Sequence, residues 1–257
     1  MRTLAVIPAR LAAVRLPRKP LRLLAGTPLV VRVWSRVAEM EVADRVVVAT
    51  ESEEVATVVR AAGAECVLTS PSHQSGTDRV AEVAARPEYA TYDLIMNVQG
   101  DEPFIGIDAV RGAVAQVAGG AFQLGTAAVP ATHAILQDPS IVKVVIDDAG
   151  RALYFSRAPI PWLRDKADEP MREGLIRQHL GLYTYTRAAL AAWVARPPHP
   201  LELVERLEQL RALAAGETIG VAVVSEVPPA GGIDTEDDLK KAEGILTLHG
   251  GRREHGH

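Results

Sequence analysis

The chain has 257 residues, long for one compact unit and short for two full-sized ones, with 48% hydrophobic and 23% charged residues, so one large folded domain with an elaboration is expected and a disordered chain is excluded. A formal net charge of −4 argues against general nucleic-acid binding. A single cysteine, Cys66, excludes an internal disulfide or a thiolate metal cage, and reads as a small buried side chain. The apolar run Leu4 to Pro8 is too short for a signal h-region and no window is long enough to span a bilayer, so a cytoplasmic protein without a membrane partner is expected.

Thr3 to Pro8 (TLAVIP) reads as a buried strand. The loop after it carries Arg10, Arg15, Pro17, Lys19 and Pro20, whose prolines rule out a helix interior. Pro28 sits where a helix starts, and Leu29, Val30, Val33, Trp34 and Val37 repeat at helical spacing. Arg45 to Thr50 is a second strand, followed by a helix capped by Ser52 and ended by Gly63. A short strand at Cys66 to Leu68, a helix at about Thr77 to Ala85 and a strand at Asp93 to Val98 continue the alternation. Such alternation implies right-handed crossovers and a mostly parallel α/β sheet.

Past Gly120 the pattern changes. Val142 to Ile146, a turn at Asp147 to Gly150 and Ala152 to Phe155 predict a β-hairpin within an inserted subdomain of about residues 130–216, inside a single domain of residues 1–250. A proline-rich loop (Ala158 to Trp162), an acidic stretch (Asp165 to Glu173), a strand (Gly181 to Thr186) and helices at about Arg187 to Ala195 and Leu201 to Ala215 follow. The acidic stretch lacks an apolar period and is expected to be poorly ordered until substrates bind, an ordinary surface loop being the alternative. Thr218 to Val224 returns as a strand, Gly231, Gly232, Ile233 and Asp234 follow, and a capped helix starts at Thr235. The tail 251–257 is expected to fray.

Charge is unevenly spread. No acidic residue precedes Glu39, while eight basic ones do. In an open parallel sheet ligands bind beyond the carboxyl ends of the strands, and three segments lie there: the basic loop, the segment NVQGDEP with Asp101, and Asp234. Arg10, Arg15 and Lys19 on a proline-stiffened loop suit a triphosphate; the alternative is a solvated basic face. Asp101, at the first solvated position after a hydrophobic strand, suits Mg²⁺, with Asp234 a candidate second ligand; the alternatives are a turn residue or cap for Asp101 and a helix N-cap for Asp234. No Walker A, GxGxxG, HExxH or GxSxG motif is present. The expectation from these residues is a magnesium-dependent enzyme that binds a triphosphate.

The segments IPARLAAVRLPRKPL, HQSGTDR, NVQGDEP, YFSRAPIPW, QHLGLYTY, PLELVERLEQLRAL and GIDTEDDL, in this order from Ile7 to Leu239, resemble the 3-deoxy-manno-octulosonate (Kdo) cytidylyltransferases. The resemblance implies a Rossmann-like nucleotidyltransferase fold with a smaller subdomain for sugar binding and dimerisation, a homodimer, and the reaction of CTP with Kdo to give CMP-Kdo and pyrophosphate for lipopolysaccharide synthesis. By that similarity Arg10, Arg15 and Lys19 hold the triphosphate, and the Ala9 backbone, Gln74, Ser75 and Arg79 surround the cytidine. Asp101 and Asp234 bind Mg²⁺, and Gln99, Arg157, His179, Tyr183, Glu208 and Gln209 contact the sugar. The alternative for these last is a packing or core polar role, and for the chain a cytidylyltransferase acting on 8-amino Kdo or another acidic sugar, or an inactive binding protein of this fold. Two positions depart from the family: Arg18 stands where a small residue, commonly glycine, is usual, and Val14 where serine or threonine is frequent. Arg18 either points outward or adds a phosphate contact.

Overall fold

The computed structural model describes residues 1–12 and 15–250, without the side chain of His249; Val14 and the tail 251–257 lie outside the described residues. The chain forms two compact units. The first comprises Arg2–Tyr92, Asn97–Ile105 and the segment from Pro228 onward, and the second Asp93–Met96 and Gly106–Val227.

In the first unit, β1 (Thr3–Pro8) is buried along its whole length, as its unbroken apolar run requires. A small ribbon, β2 (Leu23–Leu24) and β3 (Thr27–Pro28), leads into α1 (Leu29–Glu39), whose Leu29, Val30, Val33 and Val37 face the core at helical spacing. Then come β4 (Arg45–Thr50), α2 (Glu53–Ala61), β5 (Glu65–Leu68) and α3 (Gly76–Ala85). Ser52 caps α2 by accepting from the Val55 N–H, and Ser75 and Asp78 cap α3 reciprocally. β1 pairs parallel with β4 and β4 parallel with β5. The alternation expected of a parallel α/β fold is therefore present.

β6 (Leu94–Asn97) is buried throughout. The second unit continues with α4 (Ile107–Ala118), β7 (Leu124–Pro130), the hairpin β8 (Lys143–Ile146) and β9 (Ala152–Ser156), and α5 (Glu169–Glu173). β10 (Arg177–Thr186), α6 (Arg187–Ala195), α7 (Pro200–Glu205), α8 (Gln209–Ala214) and β11 (Ile219–Val223) complete it. β11 runs parallel to β7, and β10 antiparallel to β7 and β8. α9 (Glu236–Gly250) belongs to the first unit.

Four features differ from expectation. α4 and β7 have no counterpart among the expected elements; they pack so closely that a Cβ on Gly125 would lie 2.1 Å from the Ala113 carbonyl oxygen. The strand expected from Gly181 begins at Arg177. The long helix expected after Leu201 is broken at Arg206, whose φ of 54° is left-handed, giving α7 and α8. The acidic stretch is not featureless: it holds a 3₁₀ turn at Lys166–Asp168 and α5, with the Asp165 carboxylate accepting from the Ala167 N–H and Arg172 Nε donating to the Pro161 carbonyl at 2.8 Å. Local capping supplies what the missing apolar period does not.

A buried lysine and a buried ion pair brace the second unit. Lys143, fully buried, donates from Nζ to the carbonyls of Asp138, Ile141 and Arg157 at 2.9, 2.7 and 2.7 Å. Arg211 on α8 meets Glu202 on α7 in a two-pronged pair at 2.8 and 2.6 Å, with both side chains 9% exposed. Among the described residues no helix is long and apolar enough to cross a membrane.

Candidate active site

The loop after β1 and the loop after β6 face one open cleft in the first unit, lined by Pro8, Ala9, Arg10, Ala12, Lys19, Pro20, Gln99, Gly100 and Asp101. Gly100 makes the close approach possible, since a Cβ there would lie 2.7 Å from the Pro8 carbonyl oxygen. Arg10 is exposed and its guanidinium donates to the Gln74 carbonyl at 3.2 Å. Arg15 is also exposed and meets Asp234 at 2.8 Å.

Arg18 answers the question left by the sequence: its backbone is left-handed at φ 58°, and its guanidinium pairs with Glu54 on α2. A side chain in that conformation costs roughly 1–2 kcal/mol, more than the ~0–1 kcal/mol of an exposed ion pair. Arg18→Gly is therefore expected to leave turnover unchanged and to hold or slightly raise the melting temperature. A fall in kcat, or a marked loss of stability, would show that Arg18 has a further role.

Lys19 gathers the carboxylates. Its ammonium donates to Asp101 Oδ2 at 2.5 Å and to Asp234 Oδ1 at 2.9 Å, and the Ile233 N–H donates to the Asp101 carbonyl at 2.9 Å, tying the two segments together. Burial works against the charge on Lys19, but Asp101 and then Asp234 outweigh it and hold its pKa above the ordinary value. Asp101 does stand in a turn, but the cap readings of the two aspartates fail on geometry. Gly106 occupies the N-cap of the helix after Asp101. Thr235 and Asp238 hydrogen-bond reciprocally at the start of α9, leaving the Asp234 carboxylate to Lys19 and Arg15. Beside them the Glu102 carboxyl is pushed up to about 8 by burial and by the charges of Asp101 and Asp234.

The segment assigned to the cytidine sits on the same unit. Ser75 serves as the cap of α3, and Gln74 is exposed with its amide donating to the Ser72 carbonyl at 3.0 Å. Arg79 is only 1% exposed; its guanidinium pairs with Glu51 at 2.8 Å and donates to the Thr69 hydroxyl. Burial lowers its pKa, with Glu51 opposing. Behind the segment, Glu82 accepts from the Ser70 N–H at 2.8 Å, meets His73 Nε2 at 2.6 Å and pairs with Arg86 at 2.9 Å. Burial opposes that charge, yet these partners hold the Glu82 carboxyl down to about 2. Glu51 and Glu82 were not among the expected site residues. Glu51 carries the same signal as Asp101, an acidic residue at the carboxyl end of a parallel strand.

In the second unit, His179, Tyr183, Phe155 and Trp193 form one aromatic cluster, His179 lying 5.5 Å from the Tyr183 ring and 5.0 Å from Phe155. Thr126 gives its hydroxyl proton to the Leu182 carbonyl at 2.7 Å, which makes His179 Nε2 at 2.9 Å the donor to Thr126; burial, driving the imidazole pKa down to about 3, keeps the ring neutral. Among the described residues the buried Tyr183 hydroxyl and Gln209 Nε2 have no hydrogen-bond partner. Burial, with Tyr185 and Glu208, pushes the Tyr183 phenol well above its ordinary pKa. Glu208 stands at the N-cap of α8. Arg157 is committed elsewhere: its guanidinium donates to the carbonyls of Glu205 and Pro139 at 2.9 and 2.8 Å, bracing a loop. Gln99 lies in the cleft of the first unit, next to Asp101.

Comparison with known proteins identifies the family. Residues 4–219 match the family model described as Cytidylyltransferase. The chain is 58% identical over 242 residues, 94% of its length and 93% of the relative's, to the 3-deoxy-manno-octulosonate cytidylyltransferase of Gemmatimonas aurantiaca. It is 44% identical to that of Yersinia enterocolitica over 96% of its length and 99% of the relative's. The solved structure of CMP:2-keto-3-deoxy-manno-octonic acid synthetase complexed with CTP superposes with a TM-score of 0.88 at 34% identity, covering 97% of this chain and 100% of that one. A cytidylyltransferase from Leptospira borgpetersenii shares the fold, with a TM-score of 0.61 at 14% identity over 96% of this chain and 87% of that one. The chain is a nucleotidyltransferase of the 3-deoxy-manno-octulosonate cytidylyltransferase family.

Proposed function

We propose that this protein transfers a cytidylyl group from CTP to Kdo, forming CMP-Kdo and pyrophosphate and so activating Kdo for lipopolysaccharide synthesis. The observation that carries the reading is the convergence of Asp101 and Asp234 on the Lys19 ammonium, in a cleft edged by Arg10. Carboxylates that gather around one cation, with further cations beside them, suit a metal and a polyphosphate together.

The donor set fits Mg²⁺. Among the described residues no cluster of three or more His, Cys, Asp or Glu side chains could hold a metal ion, but magnesium needs only one or two carboxylates when substrate phosphates and water complete its shell. Asp101 and Asp234 would hold it, and when bound it supplies Lewis-acid stabilisation of charge on the phosphate oxygens. Arg10, Arg15 and Lys19 bind the triphosphate and neutralise the departing pyrophosphate. Gln74, Ser75 and the Ala9 backbone orient the cytidine. The anomeric hydroxyl of the sugar attacks the α-phosphorus in line, so no covalent enzyme intermediate is needed.

For the sugar, Tyr183 and Gln209 offer buried polar atoms without partners, which a polyhydroxy acid satisfies. His179, neutral and with its Nε2 proton given to Thr126, leaves Nδ1 as an acceptor. Gln209→Leu keeps the volume and removes no hydrogen bond of its Nε2, so it is expected to raise the KM for Kdo by about tenfold and leave that for CTP nearly unchanged. Parallel loss of both affinities, measured by initial rates, would assign Gln209 to folding instead.

The reading includes a homodimer in a reducing, cytoplasmic setting, with which a lone cysteine is compatible. The second unit exposes Trp162, Met171 and Val204 at 76, 69 and 83%, side chains that an interface covers. Sedimentation equilibrium is expected to give twice the 27.5 kDa chain mass. The activity itself is tested by pyrophosphate release with CTP, Mg²⁺ and a panel of Kdo, 8-amino Kdo and sialic acid: Kdo is expected to give the highest kcat/KM, and a higher value with either other sugar overturns the assignment.

A further inference from the structure

We propose that Glu51 is a positioning residue that sets the spacing between the base half and the phosphate half of the nucleotide site. It deepens the reading of CTP as the substrate and rests on it. Glu51 is the first residue after β4, and its carboxylate reaches two ways. Oε1 accepts the Leu11 N–H at 3.0 Å, in the loop between Arg10 and Lys19. Oε2 lies 2.8 Å from an Arg79 guanidinium nitrogen at the root of the base segment.

Neither end is a casual surface contact. Arg79 is 1% exposed and donates also to Thr69; losing its close carboxylate would leave a buried cation that water cannot reach. Leu11 follows Arg10, whose guanidinium already meets the Gln74 carbonyl. A role for Glu51 in helix capping is excluded, because Ser52 caps α2 and the acids of its first turn are Glu53 and Glu54. One carboxylate therefore fixes the phosphate loop against the helix that carries Ser75 and Arg79.

CTP spans both halves in one molecule. When the two half-sites are held at the spacing of the ligand, binding of one end presents the other at high effective concentration, and slack between the halves reduces that gain without weakening either half alone. This signature differs from a general loosening of the fold, which would weaken every ligand.

The test is calorimetric binding of CTP, CMP and pyrophosphate to the full chain and to Glu51→Ala and Glu51→Gln. Glu51→Ala is expected to weaken CTP by about tenfold or more while CMP and pyrophosphate each change by less than about threefold. Glu51→Gln keeps an acceptor for Leu11 and lacks the charge for Arg79, so it is expected to shift CTP in the same direction by a smaller factor. It is isosteric, and carries the test if the alanine variant does not fold. If CTP loses no more affinity than its fragments in the folded variants, the positioning role is wrong. Failure of the unmodified protein to bind CTP would instead overturn the substrate reading.

Discussion

Asp101→Asn is expected to lower turnover by about a thousandfold, roughly 4 kcal/mol of transition-state stabilisation, with the fold intact. Asparagine keeps the shape of the side chain but offers a neutral amide oxygen, a far weaker ligand for a hard dication than a carboxylate. The change also removes the nearer of the two carboxylate charges around Lys19, leaving that of Asp234 at 2.9 Å. Folding should not suffer, because Asp101 stands in a turn and its backbone tie to Ile233 uses the carbonyl, which asparagine retains. The measurements are kcat at saturating Mg²⁺, Mn²⁺ binding by electron paramagnetic resonance, and thermal melting. Weak Mn²⁺ binding with an unchanged melting curve is the expected pair of results. A kcat within about threefold of the original would remove Asp101 from the chemistry.

Arg211→Met is expected to destabilise the protein by about 3–5 kcal/mol, because it leaves the Glu202 carboxylate buried without its bidentate partner. For a chain of this size that corresponds to a fall of roughly 10 °C in melting temperature. The pair joins α7 to α8 across the break at Arg206, and Gln209 opens α8. The KM for Kdo should therefore rise together with the loss of stability. Glu202→Gln combined with Arg211→Met removes both charges and should recover part of the loss. No recovery in the double variant would mean that packing, not the stranded carboxylate, accounts for the effect.

The first unit was legible wherever local chemistry and fold agreed. The capping Ser52, bounded apolar runs and the ends of parallel strands located its elements and pointed to the segments that hold Arg15, Lys19, Asp101 and Asp234. Ile107–Ala118 escaped because Gly106 provides no side-chain cap and its alanines and valines leave little polar contrast around the helix. Leu124–Pro130 (LGTAAVP) is buried over six of its seven residues and has few β-branched ones, and a short buried run of small residues has no distinguishing period. The left-handed Arg206 was hidden for another reason: no glycine marks it. Glu51 shares with Asp101 the signal of an acid at the end of a parallel strand, but its contacts to Leu11 and Arg79, far away in the chain, are visible only in the fold. Arg157 illustrates the converse, since motif position identifies the residue and only coordinates show its donors held by loop carbonyls.

The first unit is assembled from three stretches of chain, and the partner aspartates Asp101 and Asp234 come from the second and the third. During synthesis, at roughly 5–20 residues per second, Asp101 waits on the order of ten seconds for Asp234 to be made. Over that interval the nascent chain already displays the basic loop, and Lys19 has Asp101 alone as its carboxylate partner. Loop closure over such a separation makes the joining of the two segments a late event in folding. On the proposed role of Asp234, the chain would gain activity only once the segment after β11 has docked, which would couple the first turnover to completion of the fold.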